Sequence, residues 1–190
     1  MPDATTVATT TTFPRCTYRL QLRSGVGFAE AERLVPYLAR LGASHLYLAP
    51  PFTALEGSTH GYDVADANEL DPTLGGREGF ERMARAARAA GLGVIVDIVP
   101  NHMGIGPGNP WWVDVLRHGR GSRFAGHFDI DFDRDPDGRL VLPTLGAPLE
   151  EVLGKGELEL KEKDGEGLAL FYYDAPFPLA PGALRGRARR

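Results

Sequence analysis

Three residue types that commonly bind polar ligands follow one another near the end of an apolar run. The run lies in LGVIVDIVPNHM, residues 92–103, and the three groups are the carboxylate of Asp97, the amide of Asn101 and the imidazole of His102. The β-branched residues of this segment are typical of a parallel strand covered on both faces. Burying a carboxylate without partners is costly, so Asp97 should be hydrogen-bonded or ion-paired. Because ligands bind at the carboxyl ends of strands in α/β folds, we interpret the segment as a buried strand that ends at a binding site.

A second group of candidate residues lies in a long loop, residues 50–76. The loop contains STHGYDVAD, in which His60 and Asp63 flank Tyr62. Loops of this length are uncommon in compact folds unless they serve a function. Imidazole and carboxylate groups can hydrogen-bond a ligand, but both also stabilise turns, and many half-buried tyrosines are structural. Binding roles and structural roles therefore both stay open for these residues.

The spacing of apolar residues predicts the elements that must position these groups. Alternation in TYRLQL, residues 17–22, predicts a first strand, and the helical spacing in residues 28–41 predicts a helix. Proline is unfavourable inside a helix, so we expect a short turn and then a helix that restarts with Pro36 in its first turn. Residues 44–49 are predicted to form a second strand and residues 77–90 a second helix. The apolar segment before Asn101, residues 94–99, is the third strand, which we call the organising strand because the candidate site lies at its end. This order predicts right-handed crossovers, a parallel sheet and an α/β fold.

The sequence changes character after Gly119. A short helix precedes this point, with Asn109 as its N-cap and Pro110 in its first turn. Two β-hairpins are then predicted, at residues 127–142 and 157–173, with turns at residues 135–138 and 164–167. The run DRDPDG in the first turn also fits the opening of a calcium-binding loop, but Thr144 stands where a bidentate glutamate is needed, so a hairpin turn is the preferred interpretation.

Composition excludes several classes of protein. The chain has 190 residues, is 43% hydrophobic and 24% charged, and carries a formal net charge of −4, which argues against a nucleic-acid partner. Its one cysteine, Cys16, cannot form an internal disulfide and fits a reducing cytoplasm. No apolar run is long enough to span a membrane, so we expect no membrane partner. Residues 1–13 lack the features of a signal peptide and are predicted to be a disordered leader.

At this point the motifs amount to a family resemblance. The block DIVPNH, preceded by HGYDVADANELDPTLGG, resembles the first signature regions of the α-amylase family of glycoside hydrolases and transglycosylases. The blocks TYRLQL, NPWWVDVL and FDIDF extend the resemblance over residues 14–180. The resemblance implies the first three strands of a (β/α)8 TIM barrel with a β-rich insert after the third strand. The implied segments are a leader at 1–13, the first part of the barrel at 14–119, the insert at 120–180 and a basic disordered tail at 181–190.

The resemblance also implies roles for the candidate residues. Tyr62 is similar to the family tyrosine that stacks on the sugar where the bond is broken, and His102 matches a histidine that hydrogen-bonds the same sugar. Asp97 matches an acid that orients its neighbours. Asn101 matches a position that ligates calcium in many relatives, although a loop hydrogen bond is at least as expected here. The residues on either side of Tyr62, His60 and Asp63, could reach sugar hydroxyls.

The activity that the resemblance implies is a rearrangement of maltooligosaccharides, with no cofactor and no metal. The terminal α-1,4 bond is cleaved through a covalent glucan-enzyme intermediate, and the anomeric hydroxyl of the freed glucose attacks to give an α,α-1,1 bond, as in trehalose biosynthesis. Retaining enzymes need two carboxyls about 5–5.5 Å apart. The family carries them on its fourth and fifth strands, and nothing in this sequence matches those motifs. We therefore expect an N-terminal piece that has substrate-binding residues, no catalytic residue, and no activity alone.

Two alternatives of different classes remain open at the level of sequence. One is an α-amylase-type hydrolase, which would release free glucose. The other is a noncatalytic remnant that binds glucan or nothing. Product analysis separates the first alternative from the rearrangement, and calorimetry with a maltooligosaccharide addresses the second.

Overall fold

The computed structural model describes residues 13–163 and 167–184, which form two compact units. The first unit takes its described residues from Met1–Thr53, Gly57–Tyr62 and Ala67–Pro100. The second takes them from Ala54–Glu56, Asp63–Asp66 and Asn101–Arg190. Within the described residues, no helix combines the length and the apolar composition that crossing a bilayer requires.

The first unit is built on a three-stranded parallel sheet. Its strands are β1 (Thr17–Leu20), β2 (His45–Leu48) and β5 (Gly93–Val96), in the spatial order β1-β2-β5. The register pairs Arg19 with Tyr47 and Tyr47 with Ile95, so these side chains form one row across the sheet. The predicted parallel α/β arrangement is confirmed for these three strands.

Two helices connect the strands and cover one face of the sheet. Helix α1 (Phe28–Leu41) and helix α2 (Gly76–Ala89) each turn an apolar stripe inward. Leu46 and Leu48 of β2 pack there in one hydrophobic core with Phe28 and Met83. The opposite face carries the row that contains Arg19 and Tyr47, because side chains alternate between the two faces of a strand.

Helix α1 corrects one expectation, because it runs without interruption through Pro36. A proline inside a helix costs about 3 kcal/mol, since it removes one hydrogen bond and crowds the preceding turn. Pro36 is solvent-exposed, whereas Val35 and Leu38 on either side are buried. Burial of the stripe on both sides of the proline keeps the helix continuous.

The organising strand is shorter than the sequence predicts. It ends at Val96, and the backbone N–H of Asp97 donates the last bond of the ladder to the carbonyl of Leu48 at 3.0 Å. Its neighbour β2 continues into Pro50 and Pro51, which have no N–H to donate. The ladder therefore stops, and Ile98 is 62% exposed.

The long loop contains structure that the sequence analysis missed. Strands β3 (Phe52–Ala54) and β4 (Val64–Leu70) form a two-stranded sheet, and a single 3-10 turn covers Pro72–Leu74. Asp71 begins that turn, and its carboxylate accepts the backbone N–H of Thr73 at 2.9 Å. The loop is therefore a folded segment with fixed ends.

In the second unit, the predicted short helix is confirmed and the first predicted hairpin is wrong. Helix α3 (Pro110–His118) begins where the side chain of Asn109 accepts the N–H groups of Trp111 and Trp112. Residues 127–142 contain no β-strand. There the carboxylates of Asp131 and Asp135 accept backbone N–H groups two residues ahead, which favours local turns over a strand ladder.

The second predicted hairpin is confirmed and gains a third strand. Helix α4 (Leu149–Gly154) leads into an antiparallel sheet of β6 (Leu158–Lys163), β7 (Gly167–Tyr172) and β8 (Ala175–Pro178). The register pairs Leu160 with Leu170 and Leu170 with Phe177. Of the predicted turn at 164–167, residues 164–166 lie outside the described residues.

Candidate functional site

The carboxylate of Asp97 receives two phenolic hydroxyls at the carboxyl end of β5. Tyr62 Oη donates to Asp97 Oδ2 at 2.6 Å, and Tyr47 Oη donates to the same oxygen at 2.9 Å. Asp97 follows Ile95 by two residues, so its side chain lies on the same side of the chain as the row that contains Tyr47. The sequence predicted that Asp97 would need partners, and the first unit supplies them from β2 and from the long loop.

The Asp97 carboxylate changes the acid–base behaviour of Tyr47. Its hydrogen bond with the hydroxyl of Tyr47 raises the pKa of that tyrosine above its usual 10.0, with burial as a second cause. An ionised Tyr47 would lose the hydrogen bond and place two negative charges side by side. The hydroxyl therefore stays protonated at neutral pH and acts as a donor.

A third side chain, Arg19, completes this cluster. Arg19 Nη2 donates to Tyr62 Oη at 3.1 Å, and its guanidinium carbon lies 5.7 Å from the ring centroid of Tyr47. The hydrogen bond with Tyr62 is the largest cause that raises the pKa of Arg19. We refer to Arg19, Tyr47, Tyr62 and Asp97 as the tyrosine–aspartate cluster.

The sequence analysis did not identify two members of this cluster, Arg19 and Tyr47. In TYRLQL, Arg19 lies between Tyr18 and Leu20, so its side chain points to the opposite side of the first strand from theirs. The strand order β1-β2-β5 brings that side of β1 next to Tyr47 of β2. Alternation combined with strand order could have found both residues, but the order was not known.

His60 hydrogen-bonds the backbone of the turn that carries Tyr62. Its Nδ1 accepts the backbone N–H of Tyr62 at 3.0 Å, and the two rings lie 6.0 Å apart. Between these two residues in the sequence, Gly61 has a φ of +81° and is buried, and a Cβ there would clash with the guanidinium of Arg23 and lie 2.8 Å from the carbonyl oxygen of Pro50. Only glycine combines this φ with so close an approach of a side chain.

A buried ion pair fixes the ends of the same loop. Arg23 Nη2 donates to Asp71 Oδ2 at 2.7 Å, and the two side chains are only 6% and 7% exposed. The guanidinium also donates to the carbonyls of Pro50 and Phe52, both at 2.8 Å. Arg23 therefore ties the start of the loop to its end and lies against Gly61 in its middle.

The other three candidate residues belong to the second unit. His102 and Asn101 are exposed, and His102 Nδ1 lies 2.9 Å from Asn101 Oδ1. With the proton on Nδ1, a neutral His102 presents Nε2 as an acceptor. The backbone carbonyl of Asp63 accepts the N–H of Leu55 at 3.1 Å. The first unit thus brings together Tyr62, Asp97 and His60, and the second contains the adjacent pair Asn101–His102 and, separately, Asp63.

The second unit also contains an open cavity of about 590 Å³. Its lining is mainly apolar and includes Trp112, Ile130, Val141 and Phe177. None of the six candidate residues lines it. The aromatic ring of Trp112 packs against Phe128 with centroids 5.2 Å apart, which makes Trp112 part of the packing of this unit.

In the part of the chain that the structure describes, the side chains that could ligate a metal are those of His, Cys, Asp and Glu. Three or more His, Cys, Asp or Glu side chains do not converge there in a metal-binding arrangement. In the DRDPDG run, Asp135 accepts two bonds from the Arg139 guanidinium, at 2.9 and 3.0 Å. Arg139 lowers the pKa of Asp135 from 3.8 to about 2. The Asp135 carboxylate therefore forms an ion pair with Arg139.

Comparisons with known proteins match this chain to carbohydrate-active enzymes. Residues 31–122 match the family model described as the alpha amylase catalytic domain. A Mycobacterium tuberculosis (strain CDC 1551 / Oshkosh) relative named as a maltooligosyl trehalose synthase is 47% identical over 177 residues, which are 90% of this chain and 22% of the relative. The structure of maltooligosyltrehalose synthase from Arthrobacter ramosus is 46% identical, with a TM-score of 0.79, and the match covers 89% of this chain and 21% of that one.

A relative with lower coverage of this chain is named for a different activity. Cyclomaltodextrinase of Geobacillus thermopakistaniensis (strain MAS1) is 40% identical over 96 residues, which are 50% of this chain and 15% of the relative. In each of these relatives the chain spans less than a quarter of the length. The range matched by the family model includes β2, β5 and the loop that carries Tyr62. Residues 31–122 of the chain therefore belong to the α-amylase family.

Proposed function

We propose that this chain provides the sugar-binding part of a maltooligosyl trehalose synthase. The whole enzyme would convert the reducing-end α-1,4 bond of a maltooligosaccharide into an α,α-1,1 bond by intramolecular transfer, in trehalose biosynthesis in the cytoplasm. The observation that carries the proposal is the Tyr62–Asp97 hydrogen bond at the carboxyl end of a parallel strand. The similarity to the Mycobacterium tuberculosis and Arthrobacter ramosus proteins supports this particular reaction within the family.

The hydrogen bonds of Tyr62 support a role for its ring rather than for its hydroxyl. The hydroxyl accepts a hydrogen bond from Arg19 and donates its one proton to Asp97, so it has no proton left to donate to a sugar. The side chain is half-buried, which leaves part of the ring accessible. A flat apolar ring suits the apolar face of a pyranose, as aromatic side chains combine apolar area with fixed geometry.

Roles for the other candidate residues follow from their chemistry. His102 would hydrogen-bond a sugar hydroxyl, with Asn101 holding its imidazole through Nδ1. His60 and Asp63 would contact further hydroxyls or, as their backbone bonds suggest, shape the loop. Asp97 would orient Tyr62 and Tyr47.

The fold proposal is that β1, β2 and β5 are the first three strands of a (β/α)8 barrel. Residues 14–119 would form the first part of that barrel, and residues 120–180 the insert that follows its third strand. The parallel order β1-β2-β5 with α1 and α2 on one face supports this assignment. The nucleophile and the acid/base of a retaining mechanism would come from strands outside this chain, so the chain itself contributes binding and not bond cleavage.

A chimera tests the proposed reaction. In the Arthrobacter ramosus enzyme, the segment that matches this chain is replaced by the chain, and the product from maltopentaose is analysed. We expect a trehalose-ended product of unchanged mass and little free glucose. A folded chimera, judged by circular dichroism and gel filtration, that forms no such product would overturn the proposal.

The second candidate function is hydrolysis, supported by the match to a cyclomaltodextrinase. The same chimera distinguishes it, because hydrolysis adds water and releases shorter maltooligosaccharides or glucose. Calorimetry of the 190-residue chain with maltopentaose tests binding separately. If maltopentaose does not bind, or if Tyr62→Ala and His102→Ala leave its affinity unchanged, the binding role of this chain is wrong.

A further inference from the structure

Three polar side chains reach the Tyr62 loop, Arg19 from β1 and Gln21 and Arg23 from the segment that follows it. Arg19 and Gln21 alternate with the buried residues Leu20 and Leu22, whereas Arg23 stands in a turn with a φ of +81°. Arg23 holds the two ends of the loop, as described above. Arg19 and Gln21 hold its centre, close to the ring proposed to bind sugar.

Arg19 bonds with both Tyr62 and Gln21. One terminal nitrogen, Nη2, donates to Tyr62 Oη at 3.1 Å, and the other, Nη1, donates to Gln21 Oε1 at 3.0 Å. Gln21 uses its amide nitrogen toward the loop backbone, where the carbonyl of Thr59 lies at 3.3 Å and that of His60 at 3.5 Å. One guanidinium thus orients the hydroxyl of Tyr62 directly and the backbone before it through Gln21.

The direction of the hydrogen bonds gives Arg19 a defined effect on Tyr62. A guanidinium can only donate, so the hydroxyl of Tyr62 must accept from Arg19 and direct its proton to Asp97. The phenol therefore separates a fixed positive charge from a carboxylate and bonds with both. Without the arginine the hydroxyl would keep one charged partner, and the ring could rotate about its bond to Asp97.

We propose that Arg19 is a positioning residue for the sugar-binding ring of Tyr62, acting on its hydroxyl and, through Gln21, on the backbone at Thr59 and His60. This inference rests on the proposed role of Tyr62 as a sugar platform. It assigns to β1 a function in substrate binding that Arg19 performs without contacting the sugar. Arg19 keeps its pKa well above neutral pH, so the charge is permanent.

The test is a double-mutant cycle on the 190-residue chain, with maltopentaose binding measured by calorimetry. Arg19→Met removes the donors and keeps an apolar stem, and it should weaken binding about fivefold. Tyr62→Phe should weaken binding by a similar factor. In the double variant the loss should be smaller than the sum of the two single losses, because Tyr62→Phe already removes the hydroxyl through which Arg19 acts directly.

Two further variants separate positioning from general stability. Arg19→Lys keeps the charge and a donor and should recover part of the affinity. Arg40→Met changes an exposed arginine in the last turn of α1 and should leave affinity unchanged. If Arg19→Met weakens binding equally with and without the Tyr62 hydroxyl, or does not weaken it, the inference is wrong.

A measurement without sugar keeps the inference testable if the chain alone does not bind maltopentaose. Amide hydrogen exchange at residues 59–62 should become faster in Arg19→Met and stay unchanged in Arg40→Met. Unchanged exchange in Arg19→Met would overturn the positioning role. If Tyr62→Ala leaves binding intact while Arg19→Met speeds exchange, the proposed function fails and the positioning of Tyr62 by Arg19 stands.

Discussion

Tyr62 Oη lies 2.6 Å from Asp97 Oδ2, so a residue of the long loop is bonded to the end of a strand 35 positions later in the chain. The bond is charge-assisted, and such bonds are stronger than bonds between neutral groups. It fixes the ring of Tyr62 at the carboxyl end of the parallel sheet, the edge where ligands bind in α/β folds. Most of what we expect of this chain depends on that contact.

The first prediction concerns the acceptor of this bond. Asp97→Ala leaves the hydroxyls of Tyr62 and Tyr47 without their shared acceptor and should lower the free energy of unfolding by about 2 kcal/mol, the scale of a hydrogen bond to a charged group. Asp97→Asn retains an acceptor oxygen and should cost less. Urea unfolding followed by circular dichroism measures both. Equal losses for the two variants would show that the acceptor oxygen does not matter.

The second prediction separates the ring of Tyr62 from its hydroxyl. Tyr62→Phe keeps the ring but loses its two anchoring bonds, and we expect maltopentaose binding to weaken about fivefold. Tyr62→Ala removes the stacking surface and should weaken binding about fiftyfold. Tyr37→Phe, at an exposed position of α1, is the matched control. The platform role fails if Phe and Ala at position 62 give the same affinity.

The third prediction concerns the buried pair Arg23–Asp71. Arg23→Met leaves a buried carboxylate and two carbonyls without their donor, which should cost about 3–5 kcal/mol of unfolding free energy. Neutralising the orphaned charge in the double variant Arg23→Met/Asp71→Asn should recover part of this loss. Urea unfolding of the three proteins measures it. A double variant less stable than Arg23→Met would contradict the idea that the unpaired charge is the main cost.

These contacts indicate how far the sequence alone can predict the structure. The parallel strand β5, its helical crossovers and the need of Asp97 for partners all follow from local patterns of apolar and charged residues. The expected burial of this strand on both faces was wrong, because each of its four residues is only partly buried. The identity of the partners does not, because Arg19 and Tyr47 become neighbours of Asp97 only through the order of the strands. The sequence also did not predict that α1 continues through Pro36. Burial of Val35 and Leu38 on either side stabilises the helix more than the proline destabilises it.

At residues 127–142, where a hairpin was predicted and none forms, local interactions override the strand pattern. Its alternating residues resemble a strand, but short aspartate side chains bind the neighbouring backbone and form turns instead. Asp135 additionally holds Arg139, four residues later. Hydrogen bonds between aspartates and nearby residues therefore decide the structure here. The alternation of apolar residues does not produce a strand, because the segment pairs with no other strand.

The fourth prediction concerns alkaline pH. Asp97 raises the pKa of Tyr47 above 10.0, so the unfolded chain ionises this tyrosine at lower pH than the folded chain. The stability that this bond contributes is therefore present below pH 10 and is lost as the pH rises through the folded pKa. We expect the wild type to have a higher free energy of unfolding than Tyr47→Phe at pH 8, and this difference to be smaller at pH 11. Urea unfolding at the two pH values measures it. An advantage that is constant with pH would rule out the coupling.

The fifth prediction concerns acid pH and the Asp135–Arg139 pair. The guanidinium of Arg139 lowers the pKa of Asp135 from 3.8 to about 2. A carboxyl with a lowered folded pKa stabilises the fold above its unfolded pKa, so this contribution should be lost as the pH falls from 3.8 toward about 2. The free energy of unfolding of the wild type should exceed that of Asp135→Asn at pH 6, and the two values should become equal near pH 2. In an Arg139→Met background, the effect of Asp135→Asn should depend less on pH, because the guanidinium, the largest cause of the lowered pKa, is gone and only the backbone N–H bonds to Asp135 remain. A difference of the same size at both pH values would mean that Arg139 does not control the ionisation of Asp135.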